Sequence, residues 1–307
     1  MEILSKELEY ETLKSATTGK IHISFSEFSK YQECGHRHLI EKYLHLVEDE
    51  TSIHLIFGNS VHKAIEIGIK ELSTQDERVM IFKEEFYREM HNKLANHPDM
   101  IYYNEFLQQG EHIIRYLSTE SIIKKYEIIG VEYVLYESLF GPFYFKGFID
   151  LIVRDRQTGR YVIIDWKTSG EPWDVNKKKK DEIFMAQMRL YKYFFAKKNN
   201  VPLEQIDCKY VVLNRLKNKK APSLGLGEIQ TVEIYSNEKD IKESLIKVVS
   251  TIKNIHIDNV FLKAKLIDKK KNCFFCPFKS NMHYCNEEKE QYKKLLEQNL
   301  KEKRLLI

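Results

Sequence analysis

The sequence lacks any apolar run of the roughly 18 residues that a membrane-spanning helix needs. Its first residues, Met1 to Glu9, also lack the apolar stretch of a secretory signal. Only five cysteines occur among 307 residues, and an odd number does not suit a framework of disulfides. These absences predict a cytoplasmic protein that works in a reducing environment and does not enter a membrane.

Proline and glycine are scarce as well, with 6 and 12 residues, and no segment rich in either divides the chain. Neither an internal repeat nor a low-complexity linker is present. Apolar residues make up 43% of the sequence and aromatic residues 12%, which excludes global disorder. We expect a single domain over residues 1–307, with a helical subdomain at 24–125, an α/β core at 126–260 and a cysteine-containing end at 261–307.

Hydrophobic periodicity predicts helices in the first part of the chain and strands after them. The expected helices cover residues 24–46, 58–73, 76–97, 102–125, 183–198, 239–256 and 286–303. The expected strands cover residues 128–139, 143–154, 160–167, 207–214 and 229–234. This order predicts an α/β fold with a mixed central sheet flanked by helices.

Charged residues lie in two consecutive strands of this pattern. Asp150 follows Gly147-Phe-Ile, and Asp165 and Lys167 flank Trp166 in the next strand. Because side chains alternate along a strand, Asp165 and Lys167 point to one face, and Asp150 can lie across from Asp165. Two adjacent carboxylates repel each other unless a cation lies between them, and oxygen ligands suit Mg²⁺ or Mn²⁺. A lysine there can orient water or neutralise a phosphate, and a surface salt bridge is the alternative.

Two further patterns carry polar side chains on expected helices. We expect Asn59 or Ser60 to cap a helix with His62 near its start, where the imidazole is either a metal ligand or a structural group. Gln187 and Tyr191 are four residues apart and so share a helix face. That face can hold a phosphate, a base or the lysine, or it is an ordinary polar surface.

The order of these motifs resembles the RecB-like branch of the PD-(D/E)XK nuclease superfamily, over residues 57 to 191. The resembling residues are His62, Gly147-x-x-Asp150, Asp165-x-Lys167-Thr168 and Gln187-x-x-x-Tyr191. The resemblance implies a restriction-endonuclease-like fold in which Mg²⁺ or Mn²⁺ is bound by His62, Asp150, Asp165 and the backbone carbonyl of Trp166. It also implies that Lys167 is catalytic, together with the two acids, and that Gln187 and Tyr191 position DNA. Ile149 stands where the superfamily's name has proline.

Three cysteines near the end of the chain have a metal-site spacing: Cys273-x-x-Cys276, then Cys285 after eight residues. Cys34 is the candidate for a fourth ligand, since Cys208 lies in an expected strand and is predicted to be a buried structural thiol. This arrangement resembles the iron–sulfur clamp of AddB-type and CRISPR-associated nucleases, which implies a [4Fe–4S] cluster. One alternative is zinc, with a thiolate replaced by His36, His38 or His283. The other alternative is that no metal is bound.

Charge patterns add two weaker expectations. Lysine runs at 177–180, 217–220 and 269–271 fit a groove that follows DNA phosphates, although solvated loops are the alternative. Glu132 is expected to support the metal ligands from the strand that leads to the site.

The predicted function is therefore a metal-dependent DNA nuclease. The resemblance implies an exonuclease on single-stranded DNA or free ends, in recombination, repair or processing. The alternatives are a non-catalytic DNA-binding or docking module with a nuclease fold, and the nuclease subunit of a helicase–nuclease complex. No G-x-x-x-x-G-K-[ST] motif occurs, so a helicase partner would be a separate chain.

Overall fold

The computed structural model describes residues 21–42, 51–117, 119–215 and 229–258, together with residues 260, 273, 276 and 278. Two compact units divide the chain. One contains Thr51–Glu137 and Lys146–Ser244, and the other contains the described parts of Lys20–Glu50, Ser138–Phe145 and Leu245–Ile307. The predictions for the helix at 286–303, for Cys285 and His283 and for the lysine runs at 217–220 and 269–271 lie outside the described residues. The predicted domain bounds stay a prediction.

The second unit begins with β1 (Ile21–Ser24), α1 (Phe25–Glu33) and α2 (Gly35–Lys42). The single helix predicted at 24–46 is wrong, because Cys34 adopts an extended conformation between the two helices. The Cys34 sulfur accepts a hydrogen bond of 3.4 Å from the Arg37 N–H. A side chain that accepts from the third residue onward caps a helix, so Cys34 ends α1 and caps α2.

The first unit opens with four helices: α3 (Ile53–Lys70), α4 (Gln75–Leu94), α5 (Tyr103–Tyr116) and α6 (Thr119–Lys125). A 3₁₀ turn at Pro98–Tyr102 precedes α5. The cap of α3 is Ser52, whose hydroxyl accepts from the Leu55 N–H, and the prediction of Asn59 or Ser60 is wrong. Ser60 lies inside the helix and donates to the Ile56 carbonyl. The helix predicted at 102–125 is broken, because α5 ends with Leu117 in an extended conformation.

The remaining elements are β2 (Tyr126–Phe140), β3 (Phe143–Asp155), β4 (Tyr161–Ser169), α7 (Val175–Lys179), α8 (Glu182–Asn199), β5 (Ile206–Asn214), β6 (Ile229–Ile234) and α9 (Glu238–Lys253). In the first unit the strand order is β3-β4-β5-β6, and β2 pairs with β3. The β3–β4 and β5–β6 pairs are antiparallel, whereas β4 and β5 are parallel and are connected through α8. The predicted α/β fold with a mixed sheet flanked by helices is confirmed.

Aromatic packing fixes α3 within the core of the first unit. The Phe57 ring centroid is 5.9 Å from that of Phe82 in α4 and 5.4 Å from that of Phe106 in α5. Trp166 of β4 belongs to the same buried cluster. Burial of these rings holds the face of α3 that carries His62 in a defined place. None of the helices that the structure describes has the length and apolar character to cross a membrane.

Candidate active site

The register between β3 and β4 brings Asp150 and Asp165 together. The strands pair Leu151 with Ile164, so one further step along each strand places Asp150 opposite Asp165. The Asp150 carboxylate reaches β4, where its Oδ2 atom accepts a hydrogen bond of 2.7 Å from the Trp166 N–H. The two acids are therefore neighbours at one point of the sheet.

Lys167 lies on the same face of β4 as Asp165, as the alternation of side chains predicts. Its Nζ atom is 2.5 Å from Asp165 Oδ2, and Asp165 is only 2% exposed. Burial opposes the charge of the lysine, but Asp165 and Asp150 more than offset it and raise the pKa of Lys167 above its ordinary value. The ammonium is therefore held charged beside the two carboxylates.

His62 approaches these carboxylates from α3. Its Nδ1 atom lies 3.6 Å from Asp150 Oδ2. Burial lowers the pKa of His62 to about 4 in spite of Asp165, and Lys167 adds to the decrease. The imidazole is therefore neutral at neutral pH, which is the form that binds metal ions.

Glu132 in β2 brings a third acid to the site. Its φ of 51° is uncommon for a residue other than glycine, and such a conformation within a strand marks a local irregularity. Glu132 lines a small cavity together with His62, Asp150, Trp166 and Glu66. Strained backbone of this kind is concentrated at functional sites, which is consistent with the supporting role predicted for Glu132.

Gln187 and Tyr191 enclose Asp165 from α8. The Gln187 Nε2 atom donates to Asp165 Oδ1 at 3.0 Å and to Tyr191 Oη at 3.3 Å. The two side chains share a helix face, as predicted, but both are buried. Gln187 also lies within hydrogen-bond distance of the Tyr210 hydroxyl, at 3.1 Å, and contact of either side chain with DNA stays a prediction.

Tyr210 is the residue of this site that the sequence patterns did not indicate. It pairs with Asp165 across β4 and β5, and its ring lies 5.6 Å from Lys167 Nζ. Its hydroxyl is within hydrogen-bond distance of Gln187 Oε1, at 3.1 Å, and of the Phe184 carbonyl, at 2.9 Å. Tyr210 reaches Asp165 only through the parallel pairing of β4 with β5. No local sequence motif predicts that pairing.

The site holds more negative than positive charge. Burial raises the pKa of the Asp150 carboxyl well above its ordinary value, and the Asp165 and Glu132 anions raise it further. Two carboxylates, a neutral imidazole and a backbone carbonyl are donors that suit Mg²⁺ or Mn²⁺, so the residues fit such an ion. Among the described residues, no three His, Cys, Asp or Glu side chains stand close enough to hold an ion as arranged.

Comparison with known proteins agrees with this chemistry. The sequence model of the PD-(D/E)XK nuclease superfamily matches residues 22–281 of the chain. The chain belongs to the PD-(D/E)XK nuclease superfamily. A solved crystal structure of the protein SSO0001 is similar at 16% sequence identity and a TM-score of 0.33, covering 80% of this chain and 93% of that chain. No curated protein matches the chain.

Membership of the PD-(D/E)XK superfamily supports a nuclease activity and implies divalent metal ions and a DNA substrate. The predicted superfamily is confirmed. The RecB-like branch and the resemblance to AddB-type and CRISPR-associated exonucleases stay predictions.

Three of the four cysteines predicted to form the clamp of this PD-(D/E)XK protein are described. Cys34, Cys273 and Cys276 are partly buried free thiols. Burial raises the pKa of Cys276, and Cys273 and Cys34 act in the same direction. Cys34 is thus close enough to influence Cys276, although the two are far apart in the sequence. His38, a possible substitute ligand, is buried and lies 3.0 Å from Glu27.

Proposed function

We propose that this chain is a Mg²⁺- or Mn²⁺-dependent DNA nuclease that acts as an exonuclease on single-stranded ends. The observation that carries the chemistry is the pair of carboxylates, the partly buried Asp150 and the buried Asp165, with the charged Lys167 at 2.5 Å from Asp165. The preference for single strands and free ends is supported only by the resemblance to AddB-type and CRISPR-associated nucleases.

In this proposal His62, Asp150, Asp165 and the Trp166 carbonyl hold the divalent ion. When bound, the ion supplies Lewis-acid stabilisation of the charge that develops on the phosphate. Hydrogen bonds within the chain orient the two carboxylates that would bind the ion. The Trp166 N–H orients one carboxylate, and the Gln187 amide orients the other.

Lys167 provides the mobile positive charge of the proposed site. In the described arrangement its ammonium neutralises Asp165. In this proposal Asp150 and Asp165 would hold the divalent ion, and the Lys167 ammonium would donate hydrogen bonds to the attacking water or to a phosphate oxygen. The lysine would then lie beside the group on which negative charge increases during phosphodiester hydrolysis.

The test is cleavage by an Asp165→Asn variant. Asparagine keeps the shape of the side chain but lacks the charge that holds a hard cation, so cleavage in Mg²⁺ or Mn²⁺ should be abolished. Asp207→Asn is the matched control, because Asp207 lies in the adjacent strand and pairs with Arg160 at the surface. Near-normal cleavage by Asp165→Asn, with contamination excluded, would show that the site is wrongly assigned.

A second variant separates catalysis from binding. Lys167→Ala should lose most of its turnover but bind DNA almost as the wild type does, because the lysine acts mainly in the transition state. A binding defect that accounts for the whole loss of rate would contradict this role. End-labelled linear and circular single strands, compared with a duplex, distinguish exonuclease from endonuclease cleavage.

We also propose that Cys34, Cys273, Cys276 and Cys285 bind one metal centre, a [4Fe–4S] cluster or zinc. The support is the sequence spacing together with the influence of Cys34 and Cys273 on Cys276.

A further inference from the structure

The proposed active site continues into a row of aromatic rings. Tyr210, whose ring lies 5.6 Å from Lys167 Nζ, stacks on Phe184 with ring centroids 4.2 Å apart. Phe184 in turn packs edge-on against Trp173, at 5.2 Å. The rings therefore form an uninterrupted path of contacts from the lysine to the segment between β4 and α7.

Trp173 is held firmly at the outer end of this path. Its N–H donates to Gln230 Oε1 at 2.8 Å, and its carbonyl accepts from Gln230 Nε2 at 2.9 Å. The ammonium of Lys178 lies 4.6 Å from the Trp173 ring centroid. Two hydrogen bonds to Gln230 of β6 fix the backbone of Trp173, and packing against Phe184 orients its indole.

A second aromatic residue, Tyr235, lies beside a lysine of α7. Tyr235, directly after β6, is 77% exposed, and Lys179 Nζ lies 5.7 Å from its ring centroid. Lys178 and Lys179 are consecutive residues of α7, so this short helix contributes a lysine to each of the two rings. A large aromatic side chain with so much of its surface in water is one that a partner can cover.

The lysines of this surface are available to phosphates. In the described part of the chain, no carboxylate lies within ion-pair distance of any lysine in the run Lys177–Lys180. The acids that flank the run in the sequence have other partners: Asp174 caps α7 through the Lys177 N–H, Asp181 caps α8 through the N–H groups of Ile183 and Phe184, and Glu182 pairs with Arg189. Each of these contacts involves a backbone N–H or an arginine and not a lysine side chain of the run.

We infer that Trp173, Tyr235 and the lysines of α7 form a binding surface for single-stranded DNA that leads to the active site. Base faces that are free to stack on aromatic rings exist in single strands, whereas in a duplex they are covered by neighbouring bases. Lysines beside the rings meet the phosphates between successive bases. The inference rests on the proposed function, and it assigns the single-strand preference to named residues.

The experiment measures the binding of a fluorescent 20-nucleotide oligonucleotide in EDTA, in which no cleavage occurs. Tyr235→Ala should weaken single-strand binding by about 5- to 150-fold, the loss expected for one stacked base, and should change duplex binding little. Lys179→Ala should reduce the slope of log K against log salt concentration by about 0.7. Tyr87→Ala and Lys242→Ala, at exposed positions on α4 and α9, are the matched controls.

Cleavage in Mg²⁺, measured separately, keeps the two proposals apart. If the wild type cleaves DNA but Tyr235→Ala and Lys179→Ala bind single strands as the wild type does, the surface is wrong and the nuclease assignment stands. If the wild type fails to cleave while these variants lose binding, the surface stands and the proposed function is wrong. Equal losses on single strands and duplex would overturn the single-strand assignment.

Discussion

Asp165 is oriented by a chain of hydrogen bonds that begins two side chains away. Tyr210 contacts Gln187 Oε1, and the amide of the same glutamine donates to Asp165 Oδ1. A carboxylate accepts hydrogen bonds only, so the NH₂ group of Gln187 must face Asp165 and its oxygen must face the phenol. Burial raises the pKa of Tyr210 well above its ordinary value, so the phenol keeps its proton and remains a donor. Tyr210 is therefore a positioning residue for the carboxylate.

Tyr210→Phe tests this role. The variant removes the hydroxyl and keeps the ring beneath Lys167, so we expect cleavage and Mn²⁺ affinity to fall about 10- to 100-fold, as when other groups that orient metal ligands are lost. Calorimetry with Mn²⁺ in the absence of DNA reports the affinity independently of catalysis. Tyr161→Phe, in the neighbouring strand β4, is the matched control.

A purely structural role predicts another result. The free energy of unfolding would then decrease by about 1–3 kcal/mol for the unsatisfied Gln187 oxygen, while the Mn²⁺ affinity of the folded protein stayed unchanged. A loss of stability with unchanged Mn²⁺ affinity would show that Tyr210 does not position the metal ligand.

The positions of individual site residues could be predicted from the sequence where they depend on local strand patterns. Strand alternation correctly placed Asp165 and Lys167 on one face, and the paired strands correctly brought Asp150 to Asp165. Tyr210 was missed because it lies beside Asp165 only through the parallel pairing of β4 with β5. A helix separates these two strands in the sequence. Interactions of that kind leave no periodic trace in a sequence.

The helices α4 and α5 of the first unit approach each other closely at Gly110. An added Cβ at Gly110 in α5 would lie 1.9 Å from the ring of Phe82 in α4. Phe82 is fully buried, stacks on Phe86 and meets Phe57 edge-on, so its ring has no space to move. The approach of α5 to α4 therefore requires the absence of a side chain at this position.

Gly110→Ala is predicted to destabilise the protein. Alanine is favoured over glycine in a helix by about 1 kcal/mol, but overpacking against a fixed ring costs about 1–3 kcal/mol and should prevail. Urea unfolding measures the difference, with Gln108→Ala on the exposed side of the same helix as the control. Adding Phe82→Leu should make the combined loss smaller than the sum of the single losses. An increase in stability for Gly110→Ala alone would contradict the packing argument.

Element types were more predictable than element ends. The stripe of Val61, Ile65 and Ile69 is buried as expected, because periodicity reports the face that a helix turns to the core. The start of α3 was placed too late, since Ser60 looks like a cap in sequence but satisfies its hydroxyl within the helix. The break at Cys34 was also missed, although Gly35 directly follows this residue, at the position where glycine commonly ends a helix.

For the whole molecule, the proposed cysteine centre would join segments that are far apart in the sequence. Cys34 lies between α1 and α2, whereas Cys273 and Cys276 follow 239 and 242 residues later. A metal that joins such distant segments restricts the unfolded chain strongly, so the proposed centre would contribute to stability as a link between them. Cys208 has another environment: it is 2% exposed, and burial raises its pKa to about 12. Its thiol is therefore protonated and shielded, which confirms the predicted buried structural thiol.

These environments predict different outcomes for the cysteine variants. After anaerobic purification, Cys34→Ala should lose bound metal and unfold at a lower temperature, whereas Cys208→Ser should keep the metal and lose only about 1–3 kcal/mol for a buried polar group. Because Cys34 also caps α2, Cys34→Ser is the decisive companion: its hydroxyl can still accept from the Arg37 N–H, but it is a poor ligand. Loss of metal in both Cys34 variants, measured by iron, sulfide and zinc analysis, therefore reports ligation and not capping. A colourless protein with one zinc ion would keep the shared centre and exclude the cluster, whereas full metal content in Cys34→Ser and Cys34→Ala would remove Cys34 from the site.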